Sequence, residues 1–113
     1  MGFNNNSLNQ LNKLKRLINS LEKEISFLEL YKSRVPRHYN EKVNRQREKL
    51  LQVYNQLNKN PSGQLFKNAV EISEKMTFIE MKRNKDINNL NKEIKNLKKQ
   101  KKKINRERRK IEG

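Results

Sequence analysis

An apolar residue recurs every three or four positions through the N-terminal part of this chain, and this pattern constrains the fold more than any other feature. The gaps are 3, 4, 3, 4 and 3, the a/d spacing of a helix that packs along its length against another helix. The residues are Leu11, Leu14, Ile18, Leu21, Ile25 and Leu28. Ser7-Leu8-Asn9-Gln10 has the form of a capping box. The first helix is therefore predicted over residues 7–35.

Two prolines divide the rest of the chain. Val35-Pro36 removes a backbone donor and disfavours helical geometry. A second helix is predicted over residues 37–58, either separate from the first or continuous with it through a kink at Pro36. Asn60-Pro61-Ser62-Gly63 is the strongest turn signal. With Asn60 as the cap and Pro61 in the first helical position, a long third helix is predicted over 61–112.

A helix of that length needs a partner, because helical propensity alone does not stabilise it in water. An antiparallel fold at Pro61 supplies one, since apolar positions then face each other along both arms, as Leu28 faces Ile94 and Leu50 faces Ile72. The spacing changes to 4 and 4 in both arms at facing positions, which are Val35, Tyr39 and Val43 opposite Ile87, Arg83 and Ile79.

The chain is thus predicted to be all-α and a single helical domain over residues 1–113, folded as a long, kinked, antiparallel coiled-coil hairpin. The alternative is a three-helix bundle that folds again at Pro36 and has a protruding C-terminal helix. In the hairpin, Lys101 and Arg108 would occupy seam positions. The end of the hairpin near the chain termini is therefore expected to be loosely packed, leaving four leucines partly uncovered: Leu11, Leu14, Leu17 and Leu21.

The charge of the chain indicates polyanionic partners. There are 28 Lys and Arg against 12 Asp and Glu, a net charge of +16. Residues 82–113 have 14 basic against 4 acidic side chains. A surplus of this size attracts nucleic acid or acidic protein surfaces, and phosphate backbones bind Lys and Arg regardless of base sequence.

Two groups of basic residues are the candidates for such contacts. The distal group consists of Lys13, Lys15, Arg16, Lys95, Lys98, Lys99, Lys102, Lys103, Arg106, Arg109 and Lys110. The second group lies around Pro36 and includes Arg34 and Arg37, with Tyr31 and Tyr39 as residues that could stack on bases. The competing interpretation is a solvated helix face, with Tyr39 packed in the seam.

A second set of apolar residues lies outside the seam. A two-helix rod cannot bury apolar strips on two sides, so these residues are predicted to bind a partner or to be covered by a bundle. The candidates are Phe27, Leu30, Tyr31, Tyr54, Phe66 and Phe78.

The composition argues against an enzyme. One His, one Asp and no Cys cannot form a nucleophilic triad or a tetrahedral zinc site, and 3 Gly cannot form a phosphate-binding loop. No catalytic residue, metal or cofactor is expected. No apolar run is long enough to cross a membrane. An intracellular location is expected, with the cytoplasm favoured over the mitochondrion and the nucleus.

These observations favour a non-catalytic, basic coiled-coil protein that binds nucleic acid through phosphate contacts, with RNA or a ribonucleoprotein surface preferred. One alternative is a structural or assembly subunit, within a larger complex or a homo-oligomer, that docks on acidic or apolar surfaces of partner proteins. The other is a small inhibitor of an enzyme that acts on nucleic acid.

Overall fold

The chain forms two long helices joined by a short turn. The structure is a computed structural model and describes residues 5–113. The first helix, α1, spans Asn5–Lys59 and has 55 residues; the second, α2, spans Gly63–Glu112 and has 50. No strand occurs within residues 5–113. The predicted all-α helical hairpin is confirmed, while the first four residues of the predicted domain lie outside the described residues.

Pro36 lies inside α1 and does not end it. The chain is therefore a pair of helices, and the predicted three-helix alternative with a fold at Pro36 is not adopted. α1 begins at Asn5, two residues before the predicted start at Ser7, a difference that is usual at helix ends. A bend of α1 at Pro36 stays a prediction.

The turn has a different cap from the one predicted. The Asn60 N–H donates to the Gln56 carbonyl at 2.8 Å, and Pro61 has no N–H with which to continue the helix. The Leu65 N–H donates to the Ser62 hydroxyl oxygen at 3.3 Å. The N-terminal cap of α2 is therefore Ser62, and the predicted cap at Asn60 is wrong. The Ser62 hydroxyl lies three residues before Leu65, where it accepts one of the otherwise unpaired amides of the first turn.

The contacts of the chain divide it into two compact units. The terminal unit joins the chain up to Tyr31 to Asn89–Gly113, and the central unit is Lys32–Asn88. In the terminal unit, Lys101 Nζ lies 3.3 Å from Glu22 Oε1, and Lys98 Nζ lies 3.1 Å from Glu29 Oε1. A later residue of α1 pairs with an earlier residue of α2, so the helices run antiparallel. The register that places Leu28 opposite Ile94 also places Leu21 opposite Lys101. The observed partner of Lys101, Glu22, is the next residue along α1.

The central unit has the same antiparallel arrangement. Arg83 Nη1 donates to Asn40 Oδ1 at 2.9 Å, and the Tyr39 hydroxyl donates to the Asp86 carboxylate. Asn40 is adjacent to Tyr39, the predicted partner of Arg83. The Tyr39 hydroxyl reaches Asp86, three residues beyond its predicted partner Arg83, so the two contacts agree with the predicted register to within one helical turn.

The residues that the helices bury are those of the predicted seam. In the terminal unit the buried residues are Leu11, Ile18, Ile25, Leu28, Leu90 and Ile94, each between 4% and 9% exposed. In the central unit they are Val35, Tyr39, Val43 and Ala69. Val35, Tyr39 and Val43 are each four residues apart, as predicted for this part of the seam.

Of the four leucines predicted to be partly uncovered at the terminal end, Leu11 is buried instead. Leu11 is 6% exposed, whereas Leu17, which lies off the seam, is 50% exposed. The side chain of Lys101, at a seam position, pairs with Glu22. Long Lys and Arg side chains can cover apolar neighbours with their stems while the charged group stays at the surface. The cationic seam positions are thus compatible with a closed seam.

Candidate nucleic-acid interface

The terminal unit contains a large excess of positive charge. Its segments include 15 Lys and Arg against 6 Glu, a net charge of +9. The whole predicted distal group belongs to this unit, and each of its members is exposed. The unit is therefore the strongest candidate for contact with a polyanion.

Five of these cations form a line along the outer side of α2. Their spacing is 4, 3, 4 and 3, the same period as the seam. With about 100° of rotation per residue, they project away from the seam residues Leu97 and Ile104. The line is about 21 Å long at 1.5 Å per residue. We call these residues the basic stripe: Lys95, Lys99, Lys102, Arg106 and Arg109.

Neighbouring cations are partly neutralised, whereas those of the basic stripe are not. Lys98 pairs with Glu29, and Lys110 Nζ lies 3.3 Å from Glu107 Oε1. Throughout residues 5–113, no ion pair includes a residue of the basic stripe. Its charge is therefore available to an external anion. Lys103 is exposed at the border of the stripe.

The basic residues of α1 do not extend the stripe. Arg16 precedes the buried Ile18 by two residues, so helical periodicity turns it about 200° away from the seam. It lies on the outer side of α1, opposite the outer side of α2. Lys13 and Lys15 are exposed on the same helix. The structure therefore presents cations on two outer faces of the terminal unit and does not join them into one surface.

Arg108 occupies a seam position near the C-terminal end of α2. Its Nε lies 3.7 Å from Glu112 Oε1, and this buried nitrogen has no hydrogen-bond acceptor within the described residues. Arg108 therefore belongs to the seam and its edge, and we do not count it as part of the basic stripe.

The group around Pro36 is less suited to nucleic acid than the sequence suggests. Tyr39 is buried and donates its hydroxyl proton to Asp86, with the His38 ring packed edge-on at 5.5 Å and Lys42 Nζ 5.6 Å from the ring centre. Stacking of Tyr39 on a base is therefore excluded, because its ring is already covered by the protein. The packed interpretation of Tyr39 is the right one.

The remaining candidates near Pro36 are at the surface. Arg37 Nε lies 3.8 Å from Glu41 Oε1, one helical turn further along α1. Arg34 is exposed, and Tyr31, in the terminal unit, is 54% exposed. Glu41 therefore partly compensates the positive charge of Arg37. Within residues 5–113, no residue of the basic stripe has such an ion pair.

The predicted partner-binding residues are all strongly exposed. Phe27, Leu30 and Tyr31 are 62%, 52% and 54% exposed and lie within one helical turn in the terminal unit. In the central unit, Tyr54 is 47% exposed, Phe66 57% and Phe78 68%. Roughly half or more of each side chain is exposed, so these residues offer apolar surface to another molecule.

The described residues form neither a metal site nor a membrane-spanning helix. Within residues 5–113, no cluster of three or more His, Asp or Glu could bind a metal ion. Neither α1 nor α2 contains an apolar stretch sufficient for a transmembrane helix. The surface has shallow grooves, one of them lined by Gln46, Glu71, Glu74, Lys75, Phe78 and Ile79.

In comparisons of the chain with known protein families, with curated proteins and with solved structures, nothing matches.

The distal cations form one group by their position in the chain, but the fold divides them into the basic stripe and its paired neighbours. The 4, 3, 4 and 3 spacing was available in the sequence. The pair of Lys110 with Glu107, three residues apart on one helix, was available as well. The pair of Lys98 with Glu29 was not, because it depends on which residues of α1 the fold brings next to α2.

Proposed function

We propose that this protein is a non-catalytic nucleic-acid-binding protein that binds phosphate backbones through the basic stripe of its terminal unit. RNA or a ribonucleoprotein surface is the preferred target, since no base-reading motif for specific DNA is recognisable in the sequence. The observation that best supports the proposal is the line of five exposed cations without intramolecular ion pairs.

The stripe fits a polyanion better than a small ligand. Its cations follow each other at about 5 Å along the helix axis, so several phosphates of one strand can be contacted together. Every contact releases condensed counterions from the nucleic acid, which provides affinity without a pocket and without base recognition. A single small anion would engage one or two of these cations and would bind weakly at physiological ionic strength.

The proposal is tested by neutralising part of the stripe. The variant Lys99→Gln, Lys102→Gln, Arg106→Gln removes three adjacent contacts. At about 1 kcal/mol for each exposed contact, the dissociation constant for a labelled single-stranded RNA should rise about 100-fold at low salt. Fluorescence anisotropy with RNA and with duplex DNA of equal length measures this change and the preference between the two.

A matched variant separates the stripe from net charge alone. Lys49→Gln, Lys67→Gln, Lys75→Gln removes the same number of charges from exposed positions of the central unit. This control is expected to weaken RNA binding much less than the stripe variant does. Equal losses would show that binding follows overall charge and not the stripe, and an absence of binding by the wild type at low salt would reject the function.

A second candidate function is a protein-assembly subunit. The cluster of Phe27, Leu30 and Tyr31 supports it, because exposed apolar side chains grouped on one helical turn are typical of docking surfaces. Such binding should survive about 0.5 M salt, which screens exposed charges. Co-purification at that salt, with a partner that Phe27→Ala loses, would favour this function over the first.

A further inference from the structure

One side of the central unit presents a second apolar surface, distinct from the seam. Leu51 and Tyr54 each follow a seam position of α1 by one residue, as Phe66 and Val70 do on α2. Each residue step turns the side chain by about 100° around the helix axis. Because the two helices run in opposite directions, these turns have opposite senses when both helices are viewed from the same end. Residues one position after a seam residue therefore lie on the same side of the pair in both helices. Each of the four is between 47% and 57% exposed.

All the residues that follow a seam position by one residue lie on this side of the central unit. On α1 it consists of Asn44, Arg47, Leu51, Tyr54 and Asn58, and on α2 of Phe66, Val70, Ser73, Thr77 and Glu80. The spacing on both helices is made only of threes and fours, so each helix has a second heptad-like line. We call these ten residues the flat face.

The four apolar residues of the flat face lie at similar heights along the two helices. The predicted register places Val53 opposite Ala69, and the contacts of Asn40 with Arg83 and of Tyr39 with Asp86 support that register to within one helical turn in this unit. Tyr54 therefore lies close in height to the segment between Phe66 and Val70. The apolar side chains form one patch, with polar side chains at its ends.

The charge of the flat face differs from that of the rest of the chain. It includes one basic residue, Arg47, and one acidic residue, Glu80, so its formal charge is zero in a chain of net charge +16. Within the described residues, neither Arg47 nor Glu80 takes part in an ion pair. The segment of residues 64–81, which contains the α2 part of the flat face, has 2 Lys against 3 Glu.

We propose that the flat face is a homodimer interface, covered by the flat face of a second copy of this chain. Like-charged chains repel each other, so two copies can approach most closely where the surface is neutral. A twofold axis brings the same patch of each copy together and buries the apolar side chains of both in a four-helix arrangement. An acidic partner would gain no electrostatic attraction here and would be directed to the basic stripe.

The proposal is tested by the mass of the protein in solution. Sedimentation equilibrium in about 0.5 M salt, where long-range repulsion is screened, should give twice the monomer mass of 13.7 kDa at about 100 µM protein. Dimerisation through an apolar face should persist as salt is raised, in contrast with binding through the stripe. A monomer at that concentration would overturn the proposal.

A matched pair of variants locates the interface. Leu51→Glu with Val70→Glu places charge in the flat face and should raise the dimer dissociation constant at least tenfold. Gln52→Glu with Gln56→Glu is the control, because both residues are exposed and precede seam residues of α1, which places them on the opposite side of the helix pair; it should leave the dimer unchanged. A dimer that tolerates the first variant would place the contact elsewhere and overturn the proposal.

Cysteine variants keep the test valid if charged variants lose helical structure. The chain has no cysteine, so a single cysteine reports one position only. Tyr54→Cys should form a disulfide between chains under mild oxidation, and Gln52→Cys, at an exposed position on the opposite side of the helix pair, should not. Equal cross-linking at both positions, or none at position 54, contradicts the proposed interface.

Discussion

At the scale of single residues, the hydroxyl of Tyr39 makes the most specific contact in the seam. It donates to Asp86 from the opposite helix, at a place where the other seam positions are apolar or cationic. A hydrogen bond to a charged acceptor stabilises the folded state by about 1.5 to 3 kcal/mol, and removal of one partner leaves the other desolvated.

We therefore predict that Tyr39→Phe lowers the free energy of unfolding by about 1 to 3 kcal/mol, measured by urea denaturation followed by circular dichroism. The matched control is Tyr31→Phe, since Tyr31 is 54% exposed, and this variant should be nearly neutral. Equal stabilities of the wild type and Tyr39→Phe would contradict the assigned contact.

Ser62 gives a second prediction at this scale. Its hydroxyl oxygen accepts the Leu65 N–H, so Ser62→Ala should cost about 1 kcal/mol through loss of the helix cap. Ser20→Ala, at an exposed position inside α1, should be neutral or slightly stabilising because alanine has the higher helical propensity. The same urea experiment compares the two, and a neutral Ser62→Ala would reject the cap.

At the scale of the helices, the seam is the feature that the sequence predicts best. Its heptad spacing depends on local periodicity, which can be read without knowledge of the fold, and the buried residues of α1 follow it from Leu11 to Val43. The helix ends were harder, because Asn60 and Ser62 are both good caps and only the chain geometry at Pro61 decides between them.

Pro36 shows the limit of local rules at this scale. Its missing N–H predicts either a break or continuation through a kink, and α1 continues through it. Burial of Val35 and Tyr39 on either side favours helical continuation there, and tertiary packing commonly overrides helical propensity. Whether this packing offsets the loss of one backbone hydrogen bond depends on the tertiary structure and could not be predicted from the sequence alone.

A matched pair of substitutions tests the seam. Ile18 is 4% exposed and its neighbour Leu17 is 50% exposed. Ile18→Ala should lower the free energy of unfolding by about 2 to 4 kcal/mol, because it removes buried apolar area and leaves a cavity. Leu17→Ala should change it by less than about 1 kcal/mol. Similar effects of the two substitutions would show that α1 does not face α2 through Ile18.

At the scale of the whole molecule, the distribution of charge supports the functional proposals. Of the net +16, the terminal unit accounts for +9 and the central unit for +7, yet the flat face of the central unit is neutral. Total charge could be read from the sequence. The uncompensated charge of the stripe could not, because Lys98 and Lys101 find acidic partners only through the antiparallel pairing of the helices.

The most direct test of the central claim is the dependence of RNA affinity on salt. If five stripe cations each neutralise one phosphate, the logarithm of the binding constant should fall by about 3.5 per tenfold rise in salt for single-stranded RNA. The variant Lys99→Gln, Lys102→Gln, Arg106→Gln should reduce this slope by about 2. A slope that is unchanged in the variant, or close to zero in the wild type, would contradict the account.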